Sequence, residues 1–228
     1  MDSDFPEESL REESALDLRN IKDAAWGIIL STCRAADLHL YHIMVQSLDG
    51  IERLRNTSCL SMMWANKISN LAPVFQMVWL KKLSVSDFPR LRCIDGIEAL
   101  QDLKELDLSG NLGSLQPPLR LTSVRPIAKL SNLEKLTLAN IRLENDDITF
   151  LASLSKLRDL FLSNQFERKQ FAYLAKRLNG QLDGPTQPST KTNISCRRCP
   201  NPLCHFTGQR MPILCKVCDH DRFNKLTL

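Results

Sequence analysis

The sequence has no apolar run long enough to cross a bilayer. The longest, around Trp26-Gly27-Ile28-Ile29-Leu30, falls far short of the roughly 20 residues a spanning helix needs. It has no glycine-rich phosphate loop and no metalloprotease motif, so two common signatures of catalysis are missing. It has no basic-then-apolar leader either: Met1-Asp2-Ser3-Asp4 is acidic, so a secretory signal is not expected. A cytoplasmic protein with no membrane attachment is the expectation. Charge of one sign is scarce, since 30 Lys and Arg stand against 26 Asp and Glu, a net +4. The imbalance lies at the ends. Residues 1–25 carry eight acidic and three basic side chains, whereas residues 166–228 carry eleven basic and four acidic ones. Such asymmetry marks either a solvated face or a surface for nucleic acid or an acidic partner.

What the sequence does have is a repeat. Aligned on an apolar pair L-x-L, the first residues of the pairs are Leu16, Leu38, Leu60, Leu83, Leu106, Leu136 and Leu160, separated by 22, 22, 23, 23, 30 and 24 residues. The second residues are Leu18, Leu40, Met62, Val85, Leu108, Leu138 and Leu162, and four units add a leucine three positions earlier: Leu80, Leu103, Leu133 and Leu157. Alternation turns each pair inward from one face of a short strand. Segments such as Ile97-Glu98-Ala99-Leu100, 124–130 and 148–154 place apolar residues at three- and four-residue spacing, as short helical or 3-10 turns that close the core from the other side. A single unit cannot bury its apolar face, so stability comes from stacking. The unit at Leu16 reads either as a repeat or as a helical cap.

The units IDGIEALQDLKELDLSGN and VRPIAKLSNLEKLTLAN resemble the short-repeat class of leucine-rich-repeat proteins, which includes bacterial internalins and the regulatory subunit of protein phosphatase 1. The resemblance covers roughly residues 10–165. It implies an α/β solenoid with parallel strands on a concave face and short helices or 3-10 turns on a convex one, and a protein partner bound on the strand face. The chain departs from that pattern, because the asparagine after L-x-L appears in full form only at Asn111. Four positions after the anchors, the residues are usually polar instead: Asn20, His42, Asp87, Asn140 and Asn164.

The expected order is an acidic tail (1–9), the solenoid (10–165), a capping helix (166–180) on Phe171, Leu174, Ala175 and Leu178, a polar linker (181–193) and a small module (194–228). That module carries Cys196-Arg197-Arg198-Cys199 and, fifteen residues on, Cys215-Lys216-Val217-Cys218. Two C-x-x-C turns supply four thiolates, the donor set of one closed, structural zinc site, and the tail resembles a zinc ribbon. Cys204, His205 and His220 bring the local ligand total to seven, one short of a cross-braced two-zinc fold. Eight cysteines in such a chain point to metal or free thiols, not to a disulfide framework.

The outward columns on the strand face define the candidate partner surface. They contribute His39, Tyr41, Met63, Lys82, Glu105, Asp107, Lys135, Asp159 and Phe161, and Trp64 and Trp79 break the neighbouring columns with residues typical of binding anchors. Packing between coils is the alternative for both tryptophans. Cys59 falls in the column of Asp37 and not of His39, so no nucleophilic Cys–His pair is expected and the chain reads as a non-enzyme with no small-molecule substrate. The loop 110–118, inserted after a strand, is either part of the binding face or a tolerated bulge. The leading expectation is a protein-interaction scaffold. The alternatives are a nucleic-acid-linked adaptor, using Arg197, Arg198, Arg210, Lys216, Arg222 and Lys225 with Phe206 and Phe223 for base stacking, and an inhibitor or immunity protein.

Overall fold

The computed structural model describes residues 5–111 and 117–227. The chain divides into two compact units, 1–162 and 163–228. In the first, β1 (Ala15–Ile21), β2 (Asp37–Ile43), β3 (Cys59–Met63), β4 (Lys82–Ser86), β5 (Glu105–Ser109), β7 (Lys135–Ala139) and β9 (Asp159–Leu162) form one parallel sheet of seven strands in sequence order. Two further strands, β6 (Leu119–Leu121) and β8 (Ile141–Leu143), pair in parallel in a small second sheet. The unit is a leucine-rich-repeat solenoid.

Register follows from the repeat. Each anchor pairs with the next: Leu16 with Leu38, Leu38 with Leu60, Leu60 with Leu83, and so on to Leu136 with Leu160. Just before each strand one carbonyl accepts two N–H groups from the following coil. Ser14 O takes Ala36 and Asp37, Ala36 O takes Ser58 and Cys59, Ser58 O takes Lys81 and Lys82, and the pattern continues to Glu134 O. A one-residue slip would turn every leucine outward, so pairing and burial enforce the same register. Leu16 thus opens a true repeat.

The return segments are α2 (Asp23–Thr32) and α3 (Ala72–Phe75) and the 3-10 turns Ile51–Arg53, Ile97–Ala99, Arg125–Lys129 and Thr149–Ser153. Their inward residues Ile29, Ile51, Val74, Ile97, Ile127 and Leu151 are fully buried, as are Leu80, Leu103, Leu133 and Leu157. Trp26 is buried in α2. Truncating one such leucine to alanine costs about 2–5 kcal/mol.

Three expectations about boundaries are corrected. Residues 5–9 are not a tail: helix α1 (Glu7–Glu12) forms there, with Phe5 and Leu10 buried and Leu10 O receiving Arg34 N–H. The helix α4 (Arg168–Leu178) exists, but it belongs to the second unit together with residues 163–165. The expected linker 181–193 contains part of a strand, β10 (Ser189–Ser195), whose side chains are mostly exposed while its backbone pairs with β11 (Pro202–Phe206). Polarity there reflects an exposed edge strand and not flexibility. The loop 110–118 leaves β5 at Gly110, where an added Cβ would lie 2.3 Å from Asn140 O, and residues 112–116 of it lie outside the described ones.

The second unit adds β12 (Ile213–Cys215) to an antiparallel sheet ordered β10-β11-β12, and ends in helix α5 (His220–Thr227). Cys204, Phe206, Leu214 and Phe223 form one small core cluster in it, and Phe166, Phe171, Leu174, Leu178 and Leu182 are buried as well. Helix α4 packs within this unit: Arg168 donates to Leu226 O, and Gln209 N–H reaches Phe166 O at 2.7 Å.

Candidate partner face and metal centre

Strand alternation sends the residues beside each anchor to the open face of the sheet. Five of the expected partner residues, His39, Lys82, Glu105, Asp107 and Lys135, border one trough of about 300 Å³. Its wall is completed by Asp37, Cys59, Ser61, Ser84 and Thr137, small or polar residues of the same columns that the candidate set left out. Charges pair across the strands, Lys82 with Glu105 at 3.2 Å and Lys135 with Asp159 at 2.9 Å, while along β2 His39 lies 3.4 Å from Asp37. All are half-exposed, so each contributes at most about 1 kcal/mol to stability. They order the surface more than they hold it together.

Asp107 differs. It is half-buried in the trough and, among the described residues, forms no salt bridge and leaves its solvent-shielded Oδ1 without a hydrogen-bond partner. Burial pushes its carboxyl above the ordinary value, against the pull of the Ser109 and Ser84 hydroxyls and the Lys82 charge. A carboxyl raised in the folded state stabilises the fold below its unfolded pKa, and this contribution is lost as pH climbs through the raised value. Asp107→Asn should therefore raise the Tm at pH 7, with the gain shrinking toward about pH 4, where the wild-type carboxyl is itself becoming protonated. Thermal melts at both pH values check this; an equal gain at both would mean that desolvation is not the cause.

A second cluster lies at the carboxyl ends of β1–β3. The Arg19 guanidinium sits 5.6 Å from the Tyr41 ring centre, Tyr41 meets Trp64 edge-on at 5.7 Å, and His42 stacks on Trp64 at 3.9 Å. Met63, beside Tyr41 in the register, is 45% exposed. The column four after the anchor explains the arrangement. Asn20, His42, Trp64, Asp87 and Asn140 all adopt the left-handed backbone, with φ between 47° and 60°. Asparagine and aspartate enter that region readily, whereas a bulky residue there is an outlier. Side chains in the column also link coils: Asn20 bonds His42, and Asn111 joins Asp87 to Asn140. Asn164 lies in the second unit and bonds the 206–208 turn instead.

The remaining candidates are scattered. Asp159 and Phe161 stand on the last strand, Phe161 55% exposed. Trp79 is not on the strand face: its indole N–H donates to Thr57 O of the preceding coil at 2.9 Å, and Arg55 covers its ring at 4.4 Å. It joins neighbouring coils. Further along, the outward positions Ser86, Ser109 and Ala139 are small and buried, so aromatic side chains cluster at the amino-terminal end of the face and return only with Phe161 on its last strand.

In the second unit the four sulfurs of Cys196, Cys199, Cys215 and Cys218 lie within 4.8 Å of one another, the only such ligand group among the described residues. One knuckle follows β10 and the other begins at the last residue of β12. A tetrahedral zinc–thiolate centre, with bonds of about 2.3 Å, has sulfur–sulfur edges of about 3.8 Å, so the spacing fits. Arg198 N–H and Cys218 N–H point at the sulfurs of Cys196 and Cys215 at 3.4 and 3.5 Å, and Asn201 Nδ2 at that of Cys199 at 3.5 Å. Such donors favour thiolate. Cys199 is held down to about 6, chiefly by the Asn201 side chain, whereas Cys218 is pushed up to about 12, chiefly by the neighbouring Cys199 sulfur. Four crowded thiols cannot all ionise alone, and a bound dication removes that conflict.

Cys204 is in the small core, outside the ligand group, and His205 and His220 are outside it as well. Phe206 and Phe223 are buried against each other at 4.9 Å between ring centres. Their expected availability for base stacking is corrected: alternation along β11 and the turn of α5 direct both rings inward. The sequence reasoning also missed Asp219, directly after the second C-x-x-C, whose carboxylate bonds the knuckles.

No family model and no curated protein matches the chain. Solved structures similar to it include an internalin C2 of Listeria monocytogenes, at 19% identity and TM-score 0.49, covering 69% of this chain and 63% of that one. An internalin F of the same organism has 19% identity and TM-score 0.45, covering 77% of this chain and 55% of that one. A leucine-rich-repeat protein of Leptospira interrogans has 18% identity and TM-score 0.46, covering 72% and 47%. The chain thus spans less than two-thirds of the length of each.

Proposed function

We propose that the protein is a non-catalytic, cytoplasmic interaction scaffold that holds a protein partner on the strand face of its solenoid. The observation that carries this reading is the amino-terminal cluster of Tyr41, Met63 and Trp64. Two aromatic side chains and an exposed methionine sit side by side, one of them on an unfavourable backbone, on the same sheet face as the trough around Asp107. Partner interfaces are enriched in such residues. The remaining strand-face candidates, Lys82, Glu105, Lys135, Asp159 and Phe161, would contribute complementarity around this anchor. In the second unit, one structural zinc would be held by Cys196, Cys199, Cys215 and Cys218. The metal would supply folding energy and leave no open coordination position for chemistry. No helix among the described residues is long and apolar enough to cross a membrane.

A second reading, nucleic-acid binding by the basic second unit, draws on its eleven basic against four acidic residues over 166–228. It has lost its stacking rings to the core, and Arg198 is engaged with Asp219. Affinity capture from native lysate separates the two, using the whole chain and residues 1–162, each with and without nuclease. Partners retained by 1–162 and indifferent to nuclease are the expected result. Loss with the second unit or with nuclease would move the function there.

A further inference from the structure

The two knuckles come from different strands, and nothing in a C-x-x-C turn itself sets the distance to the other pair. We propose that Asp219 is the clamp that fixes that distance, a positioning residue for the metal held by the four cysteines. The inference rests on the zinc reading of that site. The carboxylate of Asp219 folds back over its own knuckle, where Oδ2 accepts the Cys215 N–H at 2.9 Å and the Asp219 N–H returns a bond to Cys215 O at 3.0 Å. Its other oxygen, Oδ1, accepts from the guanidinium of Arg198, which lies inside the first knuckle. One carboxylate therefore ties together a ligand residue of the second pair and the loop between the ligands of the first. Its carbonyl accepts Phe223 N–H at 2.8 Å, so the same residue starts α5 and carries Phe223 into the core.

The charges explain why a carboxylate serves here. Four thiolates and a dication leave a net negative centre, which a carboxylate alone would oppose. Asp219 is useful because it holds Arg198 beside the sulfurs, supplying compensating positive charge at a defined place. Asparagine offers a single acceptor oxygen and no charge, so Asp219→Asn can keep the Cys215 bond or the Arg198 bond, but not both. Partners that orient metal ligands are commonly worth 10–100-fold in affinity.

The test is cobalt(II) binding by the full chain, followed through thiolate charge-transfer bands and by competition with a chelator. Asp219→Asn should bind cobalt 10–100-fold more weakly, yet give the wild-type spectrum and circular dichroism at saturating metal. Arg198→Gln should lose a similar factor, and the double variant should lose little more, because both changes break one link. Asp221→Asn, whose carboxylate is almost fully exposed, should bind as wild type does. Affinity of Asp219→Asn within twofold of wild type overturns the clamp and leaves the metal site standing. An altered spectrum at saturation also overturns it, by showing a role in forming the fold and not in holding the ligands. A wild-type protein with no thiolate–cobalt bands overturns the metal reading and the clamp together.

Discussion

If Cys196, Cys199, Cys215 and Cys218 hold zinc as proposed, a chelator will unfold β10–β12 and α5 of the second unit and leave the seven-stranded solenoid intact. The reason is the size of the two cores. The solenoid buries a column of apolar residues coil after coil, from Leu16 and Leu18 to Leu136 and Leu138. The sheet of the second unit has four buried residues in its core, Cys204, Phe206, Leu214 and Phe223, with Met211 and Leu226 half-covering them. Domains below about 70–80 residues rarely gain more than 3–5 kcal/mol from such a core, whereas a structural zinc supplies about 10–16 kcal/mol near neutral pH. The metal decides the balance. Backbone amide spectra should show the resonances of β10–β12 and α5 collapsing to unfolded positions on chelation, those of β1–β9 unchanged, and full recovery with zinc. An unchanged second unit in metal-free protein would mean that its apolar core suffices.

Replacing Trp64 should remove partner binding with little effect on stability, provided the replacement suits the backbone. Tryptophan at φ 60° carries about 1–2 kcal/mol of strain that asparagine largely escapes. Trp64→Asn restores the chemistry of the rest of its column, but loses the stack on His42 and the edge contact with Tyr41, each worth about 0.5–1.5 kcal/mol. Gain and loss roughly cancel, so its Tm should stay close to that of wild type. Trp64→Ala loses the same contacts and keeps the strained backbone, so it should melt lower by a few degrees. Both should weaken partner binding by at least 30-fold, as expected of an anchor worth 2 kcal/mol or more. Calorimetry and binding isotherms on the two variants check this. Full binding by the stable Trp64→Asn protein would remove Trp64 from the site.

The solenoid was legible because its signal is local and repeated. A leucine pair kept in register from Leu16 to Leu160 leaves one way to stack, and the strands pair as the columns align. Other features depend on which body an element packs against, and periodicity carries no such information. The apolar face of Arg168–Leu178 is visible in the sequence, but its place in the second unit is not. Trp79 looks like an exposed anchor by column, yet its indole reaches the carbonyl of Thr57, a contact set by the twist between coils. Phe206 and Phe223 sit among basic residues in sequence and are buried in space, since so small a sheet has few other side chains with which to build a core. The cysteine cluster was legible, because two C-x-x-C pairs at this spacing are the pattern a zinc site uses, and the four sulfurs do lie together. Asp219 was not, because its function depends on reaching across to Arg198.

The central claim is that the strand face of the solenoid holds a protein partner. Site-specific photo-crosslinking tests it most directly, with a benzophenone amino acid placed in turn at Met63 and Ser84 on that face, at Lys67 in a return segment and at Arg222 in the second unit. Protein adducts from Met63 and Ser84, with none from Lys67 or Arg222, are the predicted result. Adducts confined to Arg222, or adducts to nucleic acid, would contradict it and move the function to the second unit.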